Sequence, residues 1–273
     1  MSSDSELDVR GFQETILGHF RTVGRSFPWR ETRDPYAILV SEMMLQQTQT
    51  QRVVPKYVSW LRDFPTAETL ANAPLSAVLE RWVGLGYNRR AKYLHEACKA
   101  VVEKAAGVFP SAPEDLESLP GVGPYTARAV STFAFNEPNV FIETNIRSVF
   151  LFFFFHGESG VKDSDILPKV GTTLYRDDPR TWYYALMDYG SELKKKVGNP
   201  NRLSGHYAKQ SRFEGSLRQA RGAIVRSIGN AGRRTFCEIA AEEGIPYDKI
   251  AAAGAALAKE GIILRDGESY RFP

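Results

Sequence analysis

Apolar residues recur every three or four positions through most of the first 195 residues, a spacing that places them on one face of a helix. No stretch in this part alternates between apolar and polar residues as a half-buried strand would. The sequence therefore predicts a mainly α-helical fold. The expected helices cover about 5–24, 35–47, 50–63, 74–82, 89–105, 124–135, 143–156, 163–175 and 180–193.

The end of the chain combines helical segments with strands. Three helical segments are followed by two short strand-like pieces around the turn Asp266-Gly267. Three helices and a hairpin are the element order of a winged helix, so we expect a small winged-helix-like domain over 214–273. The segments are GSLRQARGAIVRSI, TFCEIAAEEG, YDKIAAAGAALAKEG, IILR and SYRF.

The charge distribution points to nucleic acid. The 273 residues carry a net charge of only +3, but residues 1–192 hold 20 basic and 24 acidic side chains, whereas residues 193–273 hold 15 basic and 8 acidic ones. Between Lys194 and Arg234 there are 11 basic residues and one acid. An excess of this kind is typical of a surface that contacts phosphates. The Gly-, Pro- and Asn-containing stretch within it predicts a basic linker over 199–213.

Composition narrows the class of protein further. With 43% hydrophobic and 25% charged residues, the chain can form one or two globular domains. It shows no secretory signal and no apolar run of ~18 residues, so we expect no membrane contact. Two distant cysteines, Cys98 and Cys237, predict neither a metal cluster nor a disulfide framework, which favours the cytoplasm.

A glycine-rich turn is the most informative local motif. In LPGVGPYTARAV (119–130), Gly121 and Gly123 allow a tight turn, and Pro124 suits the first position of the helix that follows. The N-terminus of a helix attracts anions because its first N–H groups have no partner within the helix. The sequence therefore predicts a phosphate contact at this turn.

Glu42 is the strongest candidate for chemistry. It lies in AILVSEMML, a stretch that is otherwise almost entirely apolar. Burial raises the pKa of a carboxyl group, which can then stay protonated at neutral pH and act as a general acid. A purine leaves a sugar readily only after one of its ring nitrogens is protonated. A carboxylate paired at a helix boundary is the structural alternative.

Six motifs occur in a fixed order before residue 195. They are PWR (28–30), PYAILVSEMMLQQTQ (35–49), GLGYNRRAKYLH (84–95), LPGVGPYTARAV (119–130), FIETNIRSV (141–149) and ALMDYG (185–190). In this order and spacing they resemble the helix-hairpin-helix DNA glycosylase superfamily, and within it the adenine glycosylases of the MutY type.

The resemblance implies a two-lobed helix-hairpin-helix glycosylase fold, with the winged-helix-like domain added at its C-terminus. The glycosylase module would span 1–198, with a six-helix lobe at about 28–136 and a second lobe formed by 1–27 and 137–198. Double-stranded DNA with a mismatched or damaged base would be the partner of a monomer associated with the nucleoid.

The resemblance also assigns site residues. Glu42 takes the position of the catalytic acid, and Tyr87 that of a tyrosine which wedges into the base stack when a nucleotide is flipped out. Trp29, Arg30 and Asp188 fall at the base pocket, although Asp188 is equally consistent with an ordinary surface acid. The residues expected to contact DNA are Gln46, Gln47, Gln49, Tyr87, Arg89, Gly121, Gly123, Lys194, Lys195 and Lys196.

Three further catalytic positions bear on the reaction subtype. Tyr125 replaces the lysine with which strand-cleaving relatives form a Schiff base, so base removal with little or no strand cleavage is expected. Glu143 stands where the family has aspartate, and Asn145 matches the asparagine two residues later. Glutamate moves the carboxylate by one methylene, so Glu143 either serves in a rearranged pocket or reduces activity.

Two family features are missing from the sequence. Most relatives follow the ALMDYG motif with four cysteines that bind an iron–sulfur cluster, whereas this chain has none between Cys98 and Cys237. We therefore expect no cofactor, although the resemblance allows a monovalent cation at the 119–125 turn. The large C-terminal domain that examines oxidised guanine would not fit in the 60 residues from Glu214 onward.

Three functions follow from the sequence. The first is a DNA glycosylase of base excision repair that removes adenine opposite guanine or 8-oxoguanine. The second is a glycosylase for thymine, uracil or an oxidised pyrimidine opposite guanine, because pyrimidine anions leave more easily. The third, favoured by Glu143, is a DNA-binding protein without catalytic activity.

Overall fold

The structure is a computed structural model, which describes residues 8–205, 207 and 212–273. It confirms the mainly α-helical fold and every predicted helix before residue 195, and adds two short helices, α4 and α7. The helices are α1 (Val9–Val23), α2 (Pro35–Leu45), α3 (Thr50–Asp63), α4 (Ala67–Asn72), α5 (Leu75–Trp82), α6 (Arg89–Ala105), α7 (Pro113–Glu117), α8 (Pro124–Phe135), α9 (Thr144–Phe154), α10 (Asp163–Thr173) and α11 (Pro179–Val197).

The C-terminal residues form a separate arrangement of three helices and three strands. The strands make an antiparallel sheet in the order β1-β3-β2, and this topology is that of a winged helix. The elements are α12 (Leu217–Ala231), β1 (Arg233–Arg234), α13 (Phe236–Glu243), α14 (Tyr247–Lys259), β2 (Leu264–Asp266) and β3 (Ser269–Arg271). We call residues 216–273 the C-terminal module.

Contacts between Cα atoms group the chain into two compact units. The first comprises Met1–Ile38, Ser111–Leu116 and Gly123–Lys209, and the second comprises Leu39–Pro110, Glu117–Val122 and Gln210–Pro273. The C-terminal module thus shares the second unit with α3 to α6. The domain boundaries predicted at residues 198 and 213 stay predictions.

Each unit has its own aromatic core. In the first, Phe12 of α1 packs edge to face against Phe150 of α9 and Trp182 of α11. In the second, the fully buried rings of Trp60 and Trp82 meet edge to face, 5.4 Å apart. Burial of large rings of this kind is the main source of folding free energy in each unit.

The stretch after α11 is folded in its first part, although the sequence predicts a linker there. Residues Pro200–Leu203 form a 3₁₀ helix. The buried Asn201 side chain donates to the Thr144 carbonyl oxygen at 3.0 Å and to the Ser148 hydroxyl at 2.6 Å, which fixes this segment to α9. Residues 206 and 208–211 of the predicted linker, including the basic Lys209, lie outside the described residues.

None of the helices in the described part of the chain is long and apolar enough to cross a bilayer.

Candidate functional site

Helix α2 buries its only charged side chain. Asp34 begins the helix, because its carboxylate accepts hydrogen bonds from the backbone N–H groups of Tyr36 and Ala37. From Tyr36 to Met44 every residue is buried, and Glu42 keeps only 7% of its surface exposed. Among these nine neighbouring positions Glu42 is the only carboxylic acid. This burial is the environment that the predicted general acid requires.

A single buried guanidinium joins two turns of the second unit. Arg90, at the start of α6, donates to carbonyl oxygens at the end of α2 and in the glycine-rich turn before α6. The acceptors are Met43 at 2.6 Å, Met44 at 3.0 Å, Gln46 at 2.8 Å, Leu85 at 3.2 Å and Gly86 at 3.0 Å. Burial lowers the pKa of Arg90 to about 10, so the group stays charged at neutral pH.

We predict that Arg90→Met lowers the free energy of unfolding by about 3 kcal/mol or more, because it removes a charged donor that several buried or part-buried carbonyl oxygens share. Methionine retains the apolar part of the side chain. The neighbouring Arg89 is exposed and bonds only one side chain in this region, the Tyr93 hydroxyl. Arg89→Met is therefore the control and should cost less than about 1 kcal/mol in urea denaturation. Equal losses in the two variants would contradict this account.

The turns held by Arg90 present two of the predicted DNA-contacting residues. Gln47 and Tyr87 are exposed and have left-handed backbones, with φ of 54° and 47°. Side chains other than glycine adopt this conformation at a cost, and it persists where surrounding contacts impose it. Tyr87 keeps 42% of its surface exposed. Gln46 is half-buried, and the exposed Gln49 precedes α3 as its N-cap.

The glycine-rich turn before α8 depends on Gly121 for a close approach. Gly121 has φ of +73°, and a Cβ at this position would lie 2.3 Å from the Tyr93 Cβ. Any larger residue would push the turn away from α6. Gly123 is the N-cap of α8 and Pro124 its first residue, and no side chain caps this helix end. This helix end therefore has the backbone geometry of an anion-binding turn, and the phosphate contact itself stays a prediction.

In the first unit, Glu143 is the centre of a hydrogen-bonded chain. Its carboxylate accepts from the Asn145 backbone N–H at 2.7 Å and from the Asn145 side-chain amide at 2.6 Å, so it also caps α9. The Asn145 amide oxygen accepts from the Lys194 ammonium group at 3.0 Å. Asn145 therefore links a positive group on α11 to the carboxylate.

The charged groups at the two ends of this hydrogen-bonded chain, Glu143 and Lys194, are partly shielded from water. Burial raises the pKa of Glu143, while the hydrogen bonds from Asn145 and the charges of Lys194 and Arg147 act in the opposite direction. Burial likewise lowers the pKa of Lys194, and Glu143 counteracts that change. Each group thus stabilises the charged form of the other.

Gly190 allows α11 to approach this cluster. A Cβ on Gly190 would lie 2.2 Å from the Asn145 carbonyl oxygen, so only glycine permits this packing. Lys194, one helical turn later, then lies next to the Asn145 side chain.

Tyr125 lies near the same end of α9. Its ring meets Phe141 edge to face at 5.7 Å, and Phe141 stacks on Tyr183 at 3.9 Å. Phe141 is two residues before Glu143 along the chain. The first unit therefore brings Tyr125 together with the segment that carries Glu143 and Asn145.

Asp188 belongs to a buried ion cluster. Its carboxylate accepts two hydrogen bonds from the Arg30 guanidinium, at 2.9 and 2.8 Å, and bonds from the Arg25 side chain and backbone. Burial raises the pKa of Asp188, but Arg30 and Arg25 outweigh it and hold the pKa below its usual value. Arg30 also stacks on Tyr184, and Trp29 is buried against Phe27. These contacts hold the segment that precedes α2 against helix α11.

The structure separates the three lysines that the sequence grouped together. Lys194 is half-buried and bonded to Asn145, whereas Lys195 and Lys196 are exposed, Lys196 in an ion pair with Glu192. The phosphate contacts of Lys195 and Lys196 stay predictions. Sequence reasoning missed both the place of Lys194 beside Glu143 and the role of Arg90. Only the position of Arg90, directly after a glycine-rich turn, gave a signal.

The residues present do not fit an iron–sulfur cluster, which needs four thiolate ligands. The chain has two cysteines, the buried Cys98 of α6 and the exposed Cys237 of α13. No group of three or more His, Cys, Asp or Glu side chains suited to a metal ion occurs among the described residues.

Comparison with known families defines the class of domain. Residues 40–167 match the model of the HhH-GPD superfamily, described as base excision DNA repair protein. This range contains Glu42, the turn of Tyr87, the glycine-rich turn before α8, and α9. The chain therefore carries an HhH-GPD superfamily domain.

Individual relatives are consistent with this family. The chain is 44% identical over 135 residues to an adenine DNA glycosylase of Mycobacterium tuberculosis, covering 49% of this chain and 44% of the relative. It is 38% identical over 151 residues to an adenine DNA glycosylase of Homo sapiens, covering 52% of this chain and 28% of the relative. The chain thus spans less than half the length of these two relatives.

A solved structure extends the likeness beyond the matched range. The structure of a thermostable thymine-DNA glycosylase aligns with a TM-score of 0.62 and 27% identity, covering 73% of this chain and 96% of that chain.

Proposed function

We propose that the chain is a monofunctional DNA glycosylase of base excision repair, which hydrolyses the N-glycosidic bond of a mismatched or damaged base. Adenine opposite guanine or 8-oxoguanine is the favoured substrate. The observation that carries the proposal is Glu42, a carboxyl group on a buried helix within the HhH-GPD domain. The adenine DNA glycosylases among the relatives support the choice of base.

In this proposal Glu42 donates a proton to a ring nitrogen of the extruded adenine, and the bond between that base and C1′ breaks. The Glu143 carboxylate, oriented by Asn145, stabilises the positive charge that develops on the sugar. Water then adds to C1′ and gives up one proton to the solvent, from which Glu42 regains the proton that it donated. Tyr125 has no amine with which to form an imine, so the abasic strand stays intact.

DNA contacts are assigned to exposed parts of the chain. Tyr87 fills the space left by the flipped nucleotide, assisted by the amides of Gln46, Gln47 and Gln49. Arg89, Lys195, Lys196 and the turn at Gly121 and Gly123 contact phosphates, while Trp29, Arg30 and Asp188 support the base pocket. The protein acts as a monomer in the cytoplasm, at the nucleoid. It uses no cofactor, and the 119–125 turn has room for a monovalent cation by family resemblance alone.

A second substrate class is thymine or uracil opposite guanine. The likeness to a thymine-DNA glycosylase favours it, as does the combination of Tyr125 with Glu143. A pyrimidine leaves as an anion and depends less on an acid, so Glu143 would then contribute most of the rate enhancement.

A panel of duplexes containing A:G, A:8-oxoguanine, T:G, U:G and hydroxymethyluracil tests the proposal. The expected result is adenine release, with strand scission only after alkali treatment. Release of thymine or uracil alone would establish the second candidate. Stoichiometric binding without an abasic site on any duplex would contradict both and leave a DNA-binding protein without catalytic activity.

The pH dependence of base release should respond to Lys194. Only the ionised Glu143 can stabilise a cationic sugar, so activity falls as pH drops through the raised pKa of this carboxyl group. Lys194→Met removes a positive charge that opposes the increase. The acid limb of the single-turnover profile should therefore move to higher pH.

The neighbouring exposed lysine provides the control for this experiment. Lys195→Met should weaken binding to DNA and leave the acid limb in place, because this side chain lies outside the Glu143 cluster. An acid limb that stays at the same pH in Lys194→Met would show that Lys194 does not act on Glu143.

A further inference from the structure

The C-terminal module is close to neutral, although it belongs to the basic end of the chain. Its residues 216–273 carry 9 basic and 7 acidic side chains, whereas residues 193–213 carry 6 basic side chains and no acid. Most arginines of the module are paired with its own acids. The pairs are Arg221 with Glu260, Arg226 with Glu243, Arg233 with Asp266 and Arg234 with Glu242.

The third helix of the module has exposed polar side chains only near its ends, among them Tyr247, Asp248 and Lys259, and its middle lacks those of a DNA-reading helix. The middle of its exposed face consists of Ala252, Ala255 and Ala256. A recognition helix reads bases through hydrogen-bonding side chains that reach into the major groove. Alanine has no such group. Charge and sequence therefore both argue against a second DNA-binding domain.

The module instead contacts the segment 83–92, which contains the turn of Tyr87. A Cβ on Gly229 of α12 would lie 3.0 Å from the Val83 side chain, immediately before this turn. After the turn, the Lys92 ammonium group donates to the Glu260 carbonyl oxygen at 2.9 Å. Glu260 is itself held by two hydrogen bonds from Arg221, at 3.1 and 2.6 Å. The C-terminal module thus contacts one residue before Tyr87 and one residue after it in the sequence.

The turn needs such support because its backbone is strained. Tyr87 holds φ of 47° without being glycine, and conformations of this kind persist only when their surroundings fix them. Arg90 supplies one set of hydrogen bonds. The C-terminal module adds packing against Val83 and the hydrogen bond from Lys92.

We propose that the C-terminal module is an intramolecular brace which holds the turn of Tyr87 in its strained conformation, and that it does not bind DNA itself. The brace rests on the proposed function only for the role of Tyr87 as a wedge. Its structural part can be measured on the free protein.

The test uses two glycines of the same helix. Gly229→Leu inserts a side chain between α12 and Val83, whereas Gly222→Leu is the matched control, since nothing lies within 4 Å of its Cβ position. Hydrogen exchange of the 84–92 amides should become about tenfold faster in Gly229→Leu and stay unchanged in Gly222→Leu. Unchanged exchange in Gly229→Leu would overturn the brace.

A second pair of variants covers the case in which Gly229→Leu does not fold. Lys92→Met removes the bond to the Glu260 carbonyl, and Lys99→Met changes an exposed lysine of the same helix. Faster exchange at 84–92 in Lys92→Met alone supports the brace, and equal exchange in both variants refutes it.

Salt dependence of duplex binding tests the other half of the proposal. Arg265 is an exposed arginine at the hairpin of the module. If the module makes no phosphate contact, Arg265→Gln leaves the slope of log affinity against log salt unchanged. A slope reduced by about 1 would show a phosphate contact and overturn this part. If the wild type releases no base from any duplex, the glycosylase proposal fails while the exchange results still decide the brace.

Discussion

Replacing Glu42 with glutamine is expected to slow base release by about 10²–10⁴-fold under single-turnover conditions. Glutamine has the same shape as a protonated glutamate but cannot donate an acidic proton. Because Glu42 keeps only 7% of its surface exposed, the change leaves the DNA-contacting surface intact. Duplex affinity should therefore stay within a few fold of wild type.

A matched acid on the surface provides the control. Glu80 is an exposed residue of α5 in the same unit, and Glu80→Gln should release the base at the wild-type rate. The free energy of unfolding of Glu42→Gln should change by less than about 1 kcal/mol, which separates loss of chemistry from loss of fold. A Glu42→Gln variant with wild-type activity would mean that the proton comes from another group.

The helices could be predicted from the sequence because each long one repeats its apolar face over several turns. Helices α4 (Ala67–Asn72) and α7 (Pro113–Glu117) were missed, since five or six residues are too few to establish a period. Strand β1 was missed for the same reason, having only two residues. Its pairing with β3 joins residues far apart in the sequence, which no local pattern reveals.

The candidate site could be predicted as a set of residues but not as a set of contacts. The burial of Glu42 follows from its apolar neighbours in sequence. By contrast, the bond between Lys194 and Asn145 spans 49 positions, and the bonds from Arg90 to α2 span more than 40. Such pairings depend on how α9 packs against α11 and α2 against α6. Lysine and arginine also occur mostly at exposed positions, which made a phosphate contact the simpler expectation for Lys194.

Replacing Glu143 with glutamine is expected to lower the single-turnover rate by about 10²-fold, since the variant keeps the side-chain length but loses the negative charge opposite the developing cation. The amide oxygen of glutamine can still accept the Asn145 backbone N–H, so α9 retains its cap. The acid limb of the pH profile should disappear, because the group that titrates there is gone.

Glu143→Asp separates the position of the charge from its presence. Aspartate keeps the charge and is a good N-cap, but it withdraws the carboxylate by one methylene from the place that Asn145 and Lys194 fix. Misplacement on the order of 1 Å can cost about 10²-fold, so this variant should also lose activity while keeping its acid limb. If Glu143→Asp is faster than wild type, the pocket is built for the shorter acid and the native glutamate limits the rate. If Glu143→Gln equals wild type, the carboxylate has no catalytic role, and α9 needs Glu143 only as its cap.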